Sequence, residues 1–341
     1  MSGETPNAVC WLMPDQTERI GRVLARAGIV PVLAGSPEPT HTGQVARDLG
    51  CEPCDDLRSA LTSAPVDLVF IAAAGQFGHT DIDQDLSALQ LAKGRAVPVA
   101  TMDAIPAAAM ELNGTRWIEA LHNGTLAELV RVVPRTRRTR ALDELHVILE
   151  TFGVPRTCSL RIVGPAALGS LGARLFDAMD LVRTLMGVPE VIDACFVAPA
   201  NARGLHQLPG ESLRGMTGDL TAHLRFSDGR AACAHLSDQS PVSEMDLRIL
   251  GTGGVITLDA AGLIWHHPTG EQDRIPMEPA ETDAGEAALV VQLSNLCAGV
   301  GPSHAPIDYP AVLSMTHASL LSCRTGQGES PDTIRRLMQI T

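Results

Sequence analysis

The segment Val66 to Ala73, VDLVFIAA, constrains the fold most, because it is apolar at every position except Asp67. Such a strand must be covered on both faces, as in a parallel sheet that lies between two layers of helices. Strand and helix patterns alternate around it through the first 100 residues. We predict strands at 8–13, 29–34, 66–73 and 96–100, and helices starting near 15 and at 42–49, 56–62 and 86–92. This alternation predicts a doubly wound parallel sheet of the α/β class.

After about residue 155 the pattern changes to successive strands. We predict strands at 158–163, 191–197, 219–226, 230–236, 245–250, 255–258 and 263–266, and helices at 171–186, 286–299 and 309–323. The turns at 227–229 and 251–254 contain glycine, so neighbouring strands should pair as antiparallel hairpins. The sequence therefore predicts a first domain at 1–125, with its boundary as late as 155. A second, α+β domain at 126–341 should have an open, mostly antiparallel sheet.

Charge and composition exclude several classes of partner. The chain has 341 residues and a formal net charge of −13, which argues against nucleic acid and anionic membranes as partners. No apolar run approaches the roughly 20 residues of a membrane helix, and the N-terminus lacks a signal segment, so we expect a cytoplasmic protein. Cys51 and Cys54 have C-x-x-C spacing but lack a second ligand pair, so we expect no metal site.

Five groups of phrases, in this order, resemble the glucose–fructose oxidoreductase and inositol dehydrogenase family (Gfo/Idh/MocA). They are PVDLVFIAAAGQFGH, ALQLAKGRAVPVA, GSLGARLFDAMDLVRTLMGVPEVIDACF, the pair LRFSDGRAACAHLS and LRILGTGGVITLD, and MTHASLLSCRTGQ. The resemblance covers nearly the whole chain. It implies an N-terminal Rossmann domain, oxidation or reduction of a sugar or cyclitol with NAD or NADP, and a homo-oligomer formed through the C-terminal sheet.

The resemblance also implies where a dinucleotide binds. The matching positions are Met13, Pro14, Asp15, Ser36, Ala73 and Ala74. The first turn nevertheless has no glycine before Gly21, although glycine lets the backbone approach a pyrophosphate. Asp15 and Glu18 place carboxylates there instead, unless they only cap the following helix. Ser36 fits NADP slightly better than NAD, because no acidic residue follows the second strand.

The family's catalytic lysine has no counterpart. The aligned position holds Thr101, our candidate there, and the chain's only lysine, Lys93, lies one strand-length upstream.

The family's catalytic histidine falls on Asp177. Asp177 and Asp180 are three residues apart on one helical face and could form an acid–base pair. Alternatively, one of them bridges to Arg174 or Arg183 on the same helix.

Two residues are candidates for substrate binding. Arg135 belongs to the arginine-rich segment 131–140, which could bind an anionic substrate or form a solvated loop or subunit contact. His79 resembles the histidine that follows the family's fourth strand. Two functions stay open at this point: an NAD(P)-dependent oxidoreductase of a small-molecule substrate with altered catalytic groups, or a cofactor-free binding or partner subunit.

Overall fold

The computed structural model describes residues 5–63, 65–78, 81–105, 112–122, 126, 129–199, 208–277, 285–300 and 306–337. The chain divides into two compact units. The first comprises residues 1–134 and 289–306, and the second comprises residues 135–288 and 307–341. The first unit thus takes a segment from the C-terminal part of the chain, which no sequence pattern indicates.

The first unit contains a six-stranded parallel sheet in the order β3-β2-β1-β4-β5-β6. Its strands are β1 (Asn7–Trp11), β2 (Val30–Gly35), β3 (Glu52–Pro53), β4 (Leu68–Ile71), β5 (Val99–Thr101) and β6 (Val130–Val132). Its helices include α1 (Thr17–Ala27), α2 (Thr42–Leu49), α3 (Leu57–Ser63), α4 (Ile82–Gly94) and α5 (Leu112–His122). The predicted doubly wound sheet is confirmed.

Strand β4 lies near the centre of this sheet, between β1 and β5. All four of its residues are buried, as the apolar sequence VDLVFIAA predicts. The chain runs from β1 outward to β2 and β3 and then crosses to β4 on the other side. This reversal is a topological switch point, where the loops after β1 and β4 leave the sheet at the same edge.

The second unit contains a mixed eight-stranded sheet in the order β14-β13-β12-β11-β7-β10-β9-β8. Its strands are β7 (Pro155–Pro165), β8 (Val191–Val197), β9 (Asp219–Arg225), β10 (Ala231–Ser237), β11 (Gln239–Gly251), β12 (Gly254–Asp259), β13 (Gly262–His266) and β14 (Gln272–Pro276). The predicted mostly antiparallel sheet is confirmed.

One expected hairpin does not form. Strands β10 and β11 are consecutive, yet β7 lies between them, parallel to β10 and antiparallel to β11. The turns at 227–229 and 251–254 do join antiparallel neighbours. Pairing between β7 and β10 joins residues some 70 positions apart, so no local turn pattern predicts it.

Helices cover one face of this sheet. They are α6 (Arg140–Phe152), α7 (Leu171–Met186), α9 (Tyr309–Thr325) and α10 (Pro331–Leu337), and a further helix, α8 (Glu286–Cys297), crosses the division between the units. Helix α7 is buried along almost its whole length, because it packs on β7, β10 and α9. No helix in the described residues is long and apolar enough to cross a membrane.

Candidate functional site

The turn between β1 and α1 is tied to β4 by the side chain of Gln16. Its Oε1 accepts a hydrogen bond from the Met13 N–H at 3.0 Å, and its Nε2 donates to the Ala72 carbonyl at 3.3 Å. Pro14–Gln16 forms one turn of 3-10 helix before α1 begins at Thr17. The amide therefore lies across the switch point and is buried there.

Several backbone N–H groups of this turn bond within the protein. Leu12 donates to Gly35 O, Gln16 to Met13 O and Thr17 to Pro14 O. The helix cap suggested for Asp15 and Glu18 does not describe the turn, because Gln16 holds the Met13 N–H. Glu18 instead pairs with Arg22 at 2.5 Å. A pyrophosphate needs free N–H groups at this position.

The carboxyl ends of β1 and β2 are packed together by an indole ring. Trp11, the last residue of β1, is only 7% exposed. A Cβ on Gly35 would lie 2.1 Å from Trp11 Cζ3 and 2.2 Å from the Cys54 carbonyl oxygen. Only glycine fits at position 35, because ring and backbone already occupy the space a side chain needs.

The loops after β2 and β4 meet across the end of β1. A Cβ on Gly75 would lie 2.3 Å from Pro37 Cβ, and Gly75 has a φ of +56°. Since β2 and β4 flank β1 on opposite sides, this contact spans the crevice between them. That crevice is where a doubly wound sheet normally receives a dinucleotide.

Ser36 is also enclosed. It is 2% exposed, its hydroxyl donates to Met13 Sδ at 3.7 Å, and it accepts from the Glu38 N–H at 3.3 Å. It therefore presents no hydroxyl for a ribose or a 2′-phosphate. Taken with the engaged N–H groups and the Gly75–Pro37 contact, these residues do not fit a dinucleotide in the switch-point crevice.

Ala73, Ala74 and Thr101 lie at the ends of β4 and β5, where their polar groups bond to neighbouring chain. The Ala73 N–H donates to Trp11 O at 3.1 Å, and the Ala74 N–H donates to Asp103 Oδ2 at 3.0 Å. Thr101 is fully buried and donates its hydroxyl to the Asp103 carbonyl at 2.9 Å. Asp103 is the organising residue here. In the sequence, the only indication of this role is that an acidic residue closely follows β5, which is weak evidence.

Lys93 lies in the last turn of α4, before β5 begins. The end of a helix that leads into a parallel strand is at the opposite edge of the sheet from the switch point. His79 lies outside the described residues, and its predicted role stays a prediction.

In the second unit, Asp177 and Asp180 hold a segment that precedes α6. The Thr136 N–H donates to both Asp177 carboxylate oxygens at 3.1 Å, and the Thr136 hydroxyl donates to Oδ2. Arg135 pairs with Asp177, Nε to Oδ1 at 3.3 Å, and also with Asp180. Arg137 Nε lies 3.1 Å from Asp180 Oδ2. The structure thus brings three predicted site residues together: Arg135, Asp177 and Asp180.

Arg135, Arg137, Asp177 and Asp180 form a buried ionic cluster that is closed to water. Arg135 and Asp180 are fully buried, and Arg137 is 3% exposed. Burial raises the pKa of Asp177, while Arg135 and the hydrogen bonds from Thr136 oppose that rise. Both oxygens of Asp177 accept hydrogen bonds from Thr136, and the Arg135 guanidinium pairs with Asp177 and Asp180. This geometry anchors residues 135–137 to α7.

The intrahelical bridges considered for Asp177 and Asp180 are not the ones observed. Arg183 pairs with Asp308, and Arg174 forms no ion pair with either aspartate. The contacts of Asp177 and Asp180 with residues 135–137 join positions some 40 apart, so helical spacing alone does not predict them.

Cys51 and Cys54 are free thiols of intermediate burial. Burial raises the pKa of Cys51 to about 11. Within the described ranges there is no group of three or more histidine, cysteine or acidic side chains that could hold a metal ion.

Comparison with known proteins identifies the fold. No protein-family model matches the sequence, and no curated protein matches it significantly. Solved structures do match over nearly the full length. Levoglucosan dehydrogenase in complex with NADH and levoglucosan has a TM-score of 0.67 at 14% identity, covering 96% of this chain and 99% of that chain.

Two further structures agree. A myo-inositol dehydrogenase from Corynebacterium glutamicum has a TM-score of 0.58 at 14% identity, covering 96% of this chain and 99% of that one. An oxidoreductase from Agrobacterium radiobacter, in complex with NAD+, L-tartaric acid and magnesium, has a TM-score of 0.63 at 14% identity, covering 97% and 100%. The chain therefore has the fold of Gfo/Idh/MocA-type NAD-dependent dehydrogenases.

Proposed function

We propose that this chain is a cofactor-free member of the dehydrogenase fold, which binds a small molecule and acts as a binding or partner subunit without hydride transfer. The observation that carries the proposal is the Gly75–Pro37 contact across the end of β1. With those loops in contact and Gln16 buried over the same crevice, a nicotinamide dinucleotide has no room in its usual position.

The catalytic groups support the same proposal. The chain's only lysine, Lys93, is in α4, so no lysine can polarise a carbonyl at the carboxyl ends of the strands. Asp177, at the position that resembles the catalytic histidine, accepts hydrogen bonds from Thr136 and pairs with Arg135. A general base must be free to take a proton from substrate, and this carboxylate has a structural role.

A second candidate is the NAD(P)-dependent oxidation or reduction of a sugar-like or cyclitol-like substrate. The structural neighbours favour it, because several contain NAD or NADH. It needs Asp177 and Asp180 as an acid–base pair, with Thr101 nearby, and a switch point that opens. The buried ionic cluster argues against an acid–base pair of Asp177 and Asp180, and the closed crevice argues against an open switch point.

Calorimetric titration with NAD, NADH, NADP and NADPH distinguishes the two candidates. We expect no binding of any of the four by the folded protein. A comparison variant, Gln16→Gly with Trp11→Ala, removes two of the side chains that fill the crevice. Micromolar binding by the wild-type chain would overturn the proposal and favour the oxidoreductase.

The remaining expectations belong to the same proposal. They are a cytoplasmic location, self-association through the eight-stranded sheet, and no nucleic-acid or membrane partner. The outer face of that sheet carries exposed polar residues such as Arg161, His223 and Arg248. Light scattering coupled to gel filtration measures the association, and a monomer at all concentrations would contradict it.

A further inference from the structure

Arg174, in the first half of α7, is a buried cation that is not part of the buried ionic cluster. Its side chain is 6% exposed, and its Nη2 donates to the Pro165 carbonyl at 2.8 Å. In the part of the chain that the structure describes, this is the side chain's only hydrogen bond, and it has no ion pair. Its Nε is buried without a partner.

Two glycines and a serine shape the space around this guanidinium. A Cβ on Gly164 would lie 3.0 Å from both Arg174 Nη2 and Ser243 Oγ, and a Cβ on Gly169 would lie 4.0 Å from Nη1. The guanidinium therefore lies over bare backbone, with the Ser243 hydroxyl beside it. Among the described contacts that hydroxyl also makes no hydrogen bond. Because both atoms lie 3.0 Å from the same point, Arg174 Nη2 and Ser243 Oγ are at most about 6 Å apart.

Two carboxylates, Asp238 and Asp177, act electrostatically on Arg174, but both are bonded to other groups. Asp238 accepts from Leu171 N, Thr217 Oγ1, Gly218 N and Gln239 Nε2. Asp177 belongs to the buried ionic cluster. Both favour the charged form of Arg174, while burial lowers its pKa to about 10. Arg174 is thus protonated at neutral pH without a bonded counter-ion, an arrangement that is costly inside a protein.

We propose that Arg174 and Ser243 form a binding site for the carboxylate of a small organic acid. A planar guanidinium matches the two oxygens of a carboxylate, and the hydroxyl supplies one more donor. A single positive charge under the electrostatic influence of Asp177 and Asp238 suits a monoanion better than a doubly charged phosphate. The inference deepens the proposed function, on which the choice of a small-molecule ligand rests.

The test is calorimetric titration of the full chain with D-glucuronate, D-gluconate and L-tartrate, with D-glucose as the neutral counterpart. We expect at least one acid to bind saturably, and glucose to bind roughly tenfold or more weakly, since hydrogen bonds to a charged group are lost. Arg174→Met should abolish the difference between D-glucuronate and D-glucose, and Ser243→Ala should weaken acid binding several-fold. Arg248→Gln, an exposed change on the same strand as Ser243, should leave binding unchanged.

Melting of the ligand-free variants separates a binding role from a structural one. Arg174→Met should melt no lower than the wild type, because an apolar side chain of similar length replaces an unpaired charge. The inference is wrong if none of the three acids binds the folded wild type, or if Arg174→Met binds them equally well. Dinucleotide titration tests the proposed function separately: NADH binding would remove that function, whereas failure of all three acids would remove only this site.

Discussion

The switch point of the first unit and the buried ionic cluster of the second are both closed, but by different physical means. The switch point is filled by Trp11, Pro37 and two glycines, with the neutral amide of Gln16 across it. The ionic cluster is filled by two arginines and two aspartates. Shape therefore excludes a ligand in the first region. In the second, oppositely charged groups pair with one another, so removing a single partner should have a much larger effect there.

The largest effect is expected from Asp180→Asn. It leaves Arg135 and Arg137 buried without their shared carboxylate, and breaking a buried pair costs about 3–5 kcal/mol of unfolding free energy. Urea denaturation followed by circular dichroism measures this change. The matched control is Asp246→Asn on the exposed sheet face, which should cost under about 1 kcal/mol. Equal stability of Asp180→Asn and wild type would mean that the cluster is not structural.

The second effect concerns pH and the buried His317 of α9. Burial lowers the pKa of this imidazole to about 4, from an ordinary value of 6.5. The unfolded chain therefore takes up the proton first as pH falls. The contribution of neutral His317 to the unfolding free energy is fully present above pH 6.5. It falls by about 3 kcal/mol as the pH decreases toward 4.

Urea denaturation at pH 7 and pH 4.5 measures the loss in wild type and in His317→Gln, which should lack this part of it. His223→Gln, on the exposed sheet face, is the control. An equal loss in all three proteins would show that the histidine remains ionisable in the fold.

A smaller effect is expected from Gly75→Ala at the switch point. The new Cβ would meet Pro37, and φ is positive. The control is Gly50→Ala, which has a φ of +71° and no atom within 4 Å of its Cβ, so it carries only the backbone strain. We expect Gly75→Ala to cost roughly 1–3 kcal/mol more than the control. Pro37→Gly should remove that excess. An excess that persists in the double variant would place the strain elsewhere.

The smallest effect on stability is expected from Asp15→Asn with Glu18→Gln. Exposed charges contribute under about 1 kcal/mol, so the unfolding free energy should barely change. If shape excludes the dinucleotide, this neutral variant still does not bind NADH in calorimetry. Binding gained by the variant would show that repulsion by these two carboxylates, rather than packing, closes the site.

Much of the fold follows from local sequence patterns. Apolar periodicity and the terminal Gly187 identify α7 at its observed bounds, and VDLVFIAA identifies the central strand. Local patterns do not reveal β7 between β10 and β11, because that pairing joins distant segments. No sequence pattern predicted helix α6 or strand β14 either.

The candidate site was less predictable than the fold. The sequence shows that the glycine-rich turn and a lysine at the catalytic position are missing, and it predicts Arg135, Asp177 and Asp180 as site residues. It does not show that these three contact one another, or that Gln16 bridges to β4. Arg174 resembles an intrahelical partner of Asp177 in sequence, and only its position over Gly164 reveals an unpaired charge. Tertiary contact decides the role of each of these residues.

The exclusion of a dinucleotide from the switch point is tested by NADH titration followed by tryptophan fluorescence. Trp11 lies in the switch-point crevice, so a dinucleotide bound there would quench it. We expect no saturable quenching up to about 1 mM NADH, corresponding to a binding free energy weaker than about −4 kcal/mol. Saturable quenching with a micromolar midpoint, abolished in Trp11→Phe, would contradict it.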